Sequence, residues 1–211
     1  MYFEYTIIRE KTTKLDFDLY CVDIYGLLDR ENVYSYDDDT ERFTAFQIAV
    51  VDWINQWEHQ PDVIHVHDHH TALIPFMMQQ CHAYSRLSKV PTVLTIHNGQ
   101  YQGWMSWDKS TYIPAWDTWQ WGLLDWSNTI NPLACGVKCA DRVTTVSPSY
   151  MEELTESANG LEQLFRMERA KCTGILNGID TVVWNPETDT YILDNYSLKD
   201  EEAGKQLNKK K

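Results

Sequence analysis

What this 211-residue sequence lacks already excludes several kinds of protein. No stretch reaches the roughly eighteen consecutive apolar residues that a membrane helix needs. The opening residues hold no basic segment followed by an apolar run, so they do not read as a secretory leader. No repeat of fixed period is present, and low complexity is confined to the lysine-ended tail. The five cysteines (Cys21, Cys81, Cys135, Cys139, Cys172) show neither disulfide nor zinc spacing. Cys135 and Cys139 stand four apart, on one face of a helix. We expect reduced, mostly buried thiols in a cytoplasmic protein. Positive charge is scarce too: 18 Lys and Arg against 31 Asp and Glu leave a net charge of −13. Such a surface repels phosphate backbones, so neither a nucleic acid nor a membrane is expected as partner. An uncharged ligand suits it better.

What is present is an alternation of strands and helices. "DLYCVDIY" (Asp18 to Tyr25) reads as a strand. Asp38 with Glu41 makes a capping box, opening a helix with Phe43, Phe46, Val50, Trp53 and Trp57 on one apolar face. "DVIHVHD" (Asp62 to Asp68) is the next strand, and "TALIPFMMQQCHAY" the next helix, with Pro75 near its first turn. "PTVLTIH" and "DRVTTVS" are β-branched, hence buried strands. Ser147-Pro148 forms an N-cap with proline at the first helical position. A helix around Leu161 to Ala170, the strand "TGIL" and the turn "NGID" follow. The alternation predicts an α/β fold, a doubly wound, Rossmann-like parallel sheet with helices on both faces. Ligands of such sheets bind beyond the carboxyl ends of the strands. His67-Asp68, His97-Asn98 and Asn177-Gly178 all fall at strand ends and are expected on one rim.

"IHVHDHH" poses the question of a metal. In a strand His65 and His67 share a face, and two imidazoles so placed can hold an ion in barrel hydrolases. The HxHxDH pattern of another hydrolase type does not fit, because the aspartate here is fourth, not fifth. The later ligands of a barrel hydrolase are also wanting, so we expect no metal. His65 is expected to sit inside the sheet and bond a neighbour, and His69 and His70 to open the following helix. Asp68 is harder to dismiss, since a carboxylate at that edge costs desolvation unless it has a donor or a purpose. In "HNGQYQGWMSW", Asn98-Gly99 turns the chain sharply and Gly103 permits a close backbone approach. Six of the nine tryptophans then fall between Trp104 and Trp126. A core could take two or three. The others are expected to be exposed and to stack on pyranose rings, with amide and imidazole groups reading the hydroxyls.

Four blocks, "PDVIHVHDHHTALIP", "PTVLTIHNGQYQG", "CADRVTTVSPSYMEE" and "ILNGIDTVVWNPETD", preceded by "LLDRENVYSYDDDTERF", resemble the N-terminal catalytic domain of bacterial glycogen (starch) synthases in order and spacing. The resemblance implies one half of a two-domain GT-B glycosyltransferase fold. It implies transfer of glucose from ADP-glucose to the non-reducing 4-OH of an α-1,4-glucan, with retention, using no metal or cofactor. It makes His97 and Asp68 the catalytic residues, His97 contacting the donor glucose and Asp68 close beside it. Asn177 of "NGID" would reach sugar hydroxyls, and Asn98, Tyr101 and Gln102 would bind substrate in the loop under the acceptor. Tyr34 of "ENVY" matches a family tyrosine near the donor, with Tyr36 as the other possible match. The family's Lys-x-Gly-Gly-Leu motif and its second domain have no counterpart here. Residues 1–190 are therefore expected to be a partial N-terminal domain and 191–211 the start of a linker, truncated at both ends and inactive alone. ADP-glucose and α-1,4-glucan would be partners of the complete enzyme. The alternative reading is a glucan-binding domain without catalysis.

Overall fold

The structure, a computed structural model, describes residues 1–12 and 14–209. The chain divides into two units, Met1–Ile175 and Leu176–Lys211. The first begins with β1 (Thr6–Arg9) and β2 (Tyr20–Asp23), paired antiparallel. α1 (Asp39–Asn55) precedes β3 (Ile64–His67), the short helices α2 (Asp68–Thr71) and α3 (Ile74–Gln80), and β4 (Thr92–Ile96). After α4 (Trp121–Leu124), β5 (Asp125–Trp126) and β6 (Thr129–Ile130) form a small hairpin. α5 (Pro132–Cys139), β7 (Arg142–Thr145), α6 (Pro148–Glu156), α7 (Glu162–Met167) and β8 (Cys172–Gly174) complete the unit.

The main sheet runs β3-β4-β7-β8, every pair parallel. This is the expected α/β, Rossmann-like arrangement. Its strands alternate with a period of two: Ile64, Val66, Leu94, Ile96, Val143 and Thr145 are buried on one face. His65, His67, Val93, Thr95 and Thr144 take the other, which is exposed or half-buried. The second face is thus the more open of the two. The strand read in "DLYCVDIY" leaves the parallel series. Among the described residues nothing helical separates β1 from β2, and parallel pairing needs a crossover of about a dozen residues or more.

Helix α1 corrects the sequence in two ways. Its capping box does not form: Asp38 pairs with Arg30 at 2.8 Å, while Glu41 accepts from Lys109 Nζ (2.8 Å) and Tyr112 Oη (3.0 Å). Partners from outside the helix outcompete the local cap. The buried stripe consists of Arg42, Thr44, Ala45, Gln47, Ala49 and Val51, with Phe43, Phe46, Val50 and Trp53 half-buried beside it and Trp57 exposed. Apart from Arg42 and Gln47 the buried positions carry small or medium side chains, and the aromatic ones lie at the margins. Elsewhere the local signals hold. Ser147 Oγ accepts the Tyr150 N–H at 2.9 Å with Pro148 at the first helical position, and Cys135 and Cys139 lie in α5. Four of the five cysteines are buried and Cys21 is exposed.

In the second unit α8 (Glu201–Lys209) is preceded by turns. Asp180 accepts the N–H groups of Val182 and Val183 at 2.9 and 3.0 Å, and Asn208 holds the backbone at Leu193 and Asp194. Among the described residues no helix is long and apolar enough to cross a membrane.

Candidate functional site

The carboxyl ends of β3 and β4 meet at Asp68. Its φ of +53° is left-handed, a conformation that Asp adopts more readily than bulkier residues, and it turns the chain from strand directly into α2. The turn aims the carboxylate at the next strand. Asp68 Oδ1 accepts the His97 N–H at 2.8 Å and lies 3.4 Å from the Asn98 nitrogen. The carboxylate therefore holds the start of the "HNGQYQG" loop, which meets the desolvation cost noted for it.

Much of that loop is tied down by hydrogen bonds. Gly99 N–H donates to Tyr150 Oη at 2.9 Å, and Asn98 Oδ1 accepts from Gln100 N–H at 3.0 Å. Gln102, 3% exposed, donates its amide to the carbonyls of Gly99, Ala158 and Asn159. Its Oε1 accepts from Trp104 Nε1 (2.7 Å) and Asn131 Nδ2 (2.8 Å). Gln102 thus organises the loop from behind, and its amide is taken up by protein groups. Gly103 has φ of +71°, and a Cβ there would stand 2.6 Å from His69 Cδ2. Glycine alone lets this loop lie on the imidazole.

In front of the loop is a cavity of about 730 Å³, within the usual range for a small-molecule site. Asp68, Asn98, Tyr101 and Tyr34 line it, together with Phe43, His69, His70 and Trp104. Tyr36 is absent from its lining; its Oη accepts from Asn32 N–H at 3.0 Å, and the Arg42 guanidinium lies 4.8 Å over its ring. Of the two tyrosines, Tyr34 is the one at the cavity. Asp39, which lines the same wall, fixes that segment by accepting from Ser35 N–H at 2.9 Å and pairing with Arg42 at 2.5 Å.

His97 is reached from a second, neighbouring hollow of about 480 Å³, and Asn98 borders both. Asn177 belongs to the Leu176–Lys211 unit and is exposed. The six tryptophans divide evenly: Trp107, Trp116 and Trp126 pack against the core, whereas Trp104, Trp119 and Trp121 are exposed. Of these, Trp104 faces the cavity.

The four histidines of the cluster part ways. His65 Nε2 bonds Thr95 Oγ1 at 2.6 Å, the neighbour contact expected of it, though on the open face of the sheet. His67 Nδ1 lies 3.1 Å from His97 Nε2. Among the described residues no three His, Cys, Asp or Glu side chains converge in a metal-holding group. His69 and His70 open α2, as read, and also wall the cavity, which the sequence did not reveal. Their rings are 3.7 Å apart and both present to the edge of Phe43. Burial, reinforced by the charge of His70, pushes His69 down to about 4, and burial also lowers His70. Both are neutral at pH 7. The one clue to their position was adjacency to a strand-end aspartate.

A Rossmann-like α/β unit, with a preorganised loop and a cavity beyond the carboxyl ends of its parallel strands, is the class that fold and site define. A family profile described as starch synthase catalytic domain matches residues 2–167, and the chain belongs to that family. It is 54% identical over 209 residues to a glycogen synthase of Flavobacterium johnsoniae, covering 99% of this chain and 44% of that protein. A glycogen synthase of Streptococcus uberis is 40% identical, with 97% and 42% covered. Among solved structures, the catalytic domain of starch synthase IV from Arabidopsis thaliana, bound to ADP and acarbose, superposes with a TM-score of 0.74 at 30% identity. That match covers 92% of this chain and 41% of the plant one. The chain thus spans less than half the length of these relatives.

Proposed function

We propose that this chain is the acceptor-side part of a glycogen synthase, one half of a GT-B enzyme that transfers glucose from ADP-glucose to the non-reducing 4-OH of an α-1,4-glucan with retention. The observation that carries the reading is the meeting of Asp68, Asn98, Tyr101 and Tyr34 around one aromatic-walled cavity at the ends of β3 and β4. Aromatic faces suit the C–H faces of a pyranose, and the net charge of −13 favours a neutral sugar polymer over an anionic one. The plant relative's structure contains ADP and acarbose, a nucleotide and a sugar mimic, which accords with the same substrate classes.

In this mechanism departure of the nucleotide leaves positive charge on the glucosyl carbon. His97 and the loop behind it hold the sugar in a reactive geometry. Asp68, held 2.8 Å from the His97 N–H, acts chiefly by fixing that loop, and its negative charge adds electrostatic stabilisation nearby. Asn177 would supply a further hydroxyl contact in the complete enzyme. Residues 1–190 would form the partial domain and 191–211 the start of the connection to a nucleotide-binding partner domain. On this reading the 211-residue chain binds glucan and does not turn over.

Two measurements test it. Maltoheptaose titrated into the chain should perturb resonances of Tyr34, Tyr101 and Trp104, and no perturbation there would remove the acceptor assignment. Initial rates with ADP-glucose and glycogen should be at background. A rate matching that of a full-length glycogen synthase would overturn the inactive-part reading.

A further inference from the structure

His67 and His97 end neighbouring parallel strands on the same face. His67 is in register with Thr95, and His97 is two residues further along, the next position on that side. The rings meet at their edges, with His67 Nδ1 3.1 Å from His97 Nε2, centroids 5.3 Å apart and planes 29° from parallel. Two neutral imidazoles at that distance share one proton: one nitrogen donates and the other accepts. Among the described residues the His97 ring makes no other hydrogen bond, so Nδ1 is the ring nitrogen left for a ligand.

We propose that His67 is a positioning residue for His97: its Nδ1 accepts the His97 Nε2 proton, holds His97 in the Nε2–H tautomer, and leaves His97 Nδ1 as a lone-pair acceptor for a sugar hydroxyl. The functional half of this inference rests on the sugar-handling reading above.

The direction of the bond follows from imidazole chemistry. Donation from His97 leaves both rings with the proton on Nε2, the tautomer that a free neutral histidine favours. The reverse bond would put both in the less favoured form. The surroundings keep His67 able to accept. Burial lowers its proton affinity first, and the charges of His65 and His97 lower it further, against a smaller opposing pull from Asp68. The His65 ring lies against it, tilted by 31°, with centroids 4.4 Å apart. That ring is itself anchored through Thr95 Oγ1 to Thr144 Oγ1, each contact 2.6 Å. A column of side chains across three strands thus supports the orientation of one reactive ring, and the hydrogen bond made by one ring nitrogen sets the character of the other.

The test is a long-range ¹H–¹⁵N spectrum of the histidine side chains in the ¹⁵N-labelled 211-residue chain. His97 is expected to show a protonated Nε2 and an unprotonated Nδ1. In His67→Phe the acceptor is gone, and the His97 signals should move towards the average of exchanging tautomers. In His67→Asn, whose Oδ1 can occupy the place of Nδ1, they should return. A His97 found as the Nδ1–H tautomer, or one whose signals are the same in wild type and His67→Phe, overturns the proposal. Should the Phe variant not fold, the wild-type tautomer decides. The spectrum needs neither sugar nor turnover. Absence of maltoheptaose binding in the same sample would therefore sink the glucan reading and leave the tautomer assignment standing.

Discussion

Two pairs of histidines stand within six residues, yet they live in different physical worlds. His65 and His67 lie on the open face of β3 and spend their ring nitrogens on Thr95 and His97. His69 and His70 lie one turn further on, half-buried against Phe43 at the cavity. There Nδ1 of His69 and Nε2 of His70 are buried with no partner among the described residues. What separates the pairs is the left-handed Asp68, where a period of two gives way to the helical period. Residue type therefore says little about role here. The backbone switch decides whether an imidazole serves the sheet or the cavity.

The cavity wall is most vulnerable at Gly103. Gly103→Ala puts a Cβ at a left-handed position, which alone costs about 1–2 kcal/mol, and drives it into the His69 ring. We expect the largest loss of stability in chemical denaturation, together with loss of maltoheptaose binding. A variant as stable as wild type would mean that the loop does not rest on His69.

The hinge itself comes next. Asp68→Ala removes the acceptor for the His97 N–H and should cost about 1.5–3 kcal/mol, the range for hydrogen bonds to charged groups. Asp68→Asn keeps both the oxygen and the tolerance for positive φ, so its loss should stay under about 1 kcal/mol. Equal losses in the two variants would assign the effect to charge and not to the loop contact.

Acid should separate the pairs more gently. His69 titrates near 4 in the fold because burial disfavours its charged form, against about 6.5 when unfolded. Between those values the unfolded chain binds the extra proton, so stability rises with pH and is lost as pH falls from about 6.5 towards 4. Thermal melts of His69→Phe across that window should show a flatter dependence than wild type. An unchanged slope would place the acid sensitivity elsewhere.

The smallest effect is expected on the open face. His65→Val removes one exposed bond to Thr95, and its cost should stay at about 0.5 kcal/mol. A loss as large as that of Asp68→Ala would show the open face to be as demanding as the cavity wall, and the contrast would fail.

Much of the fold was legible because its signals are local. The β-branched runs at Thr92–Ile96 and Arg142–Thr145 became adjacent parallel strands, and the Ser147-Pro148 pair capped α6. The capping box at Asp38 failed because Arg30, in the preceding loop, and Lys109, distant in sequence, offered Asp38 and Glu41 stronger partners. The aromatic face of α1 was misplaced for a related reason. Hydrophobicity marks which residues are apolar, but the packing of α1 buries Ala45 and Ala49 most completely and leaves the aromatic side chains at the margins. At the site, Asp68 and the "HNG" turn stood out as strand ends. The wall built by Phe43, His69 and His70 did not, because those side chains come together only when α1 packs beside α2.

By itself, then, the sequence determined the alternation of strands and helices, the charge that disfavours anionic partners, and the strand ends on which a ligand would sit. Each of these depends on neighbours within a turn or a few residues along the chain. Only the tertiary structure decided that Gln102 faces inward, that Tyr34 and not Tyr36 meets the cavity, and that the ring of His67 reaches His97. Those outcomes depend on strand register and helix packing between segments some thirty residues or more apart. No periodicity along the chain encodes them.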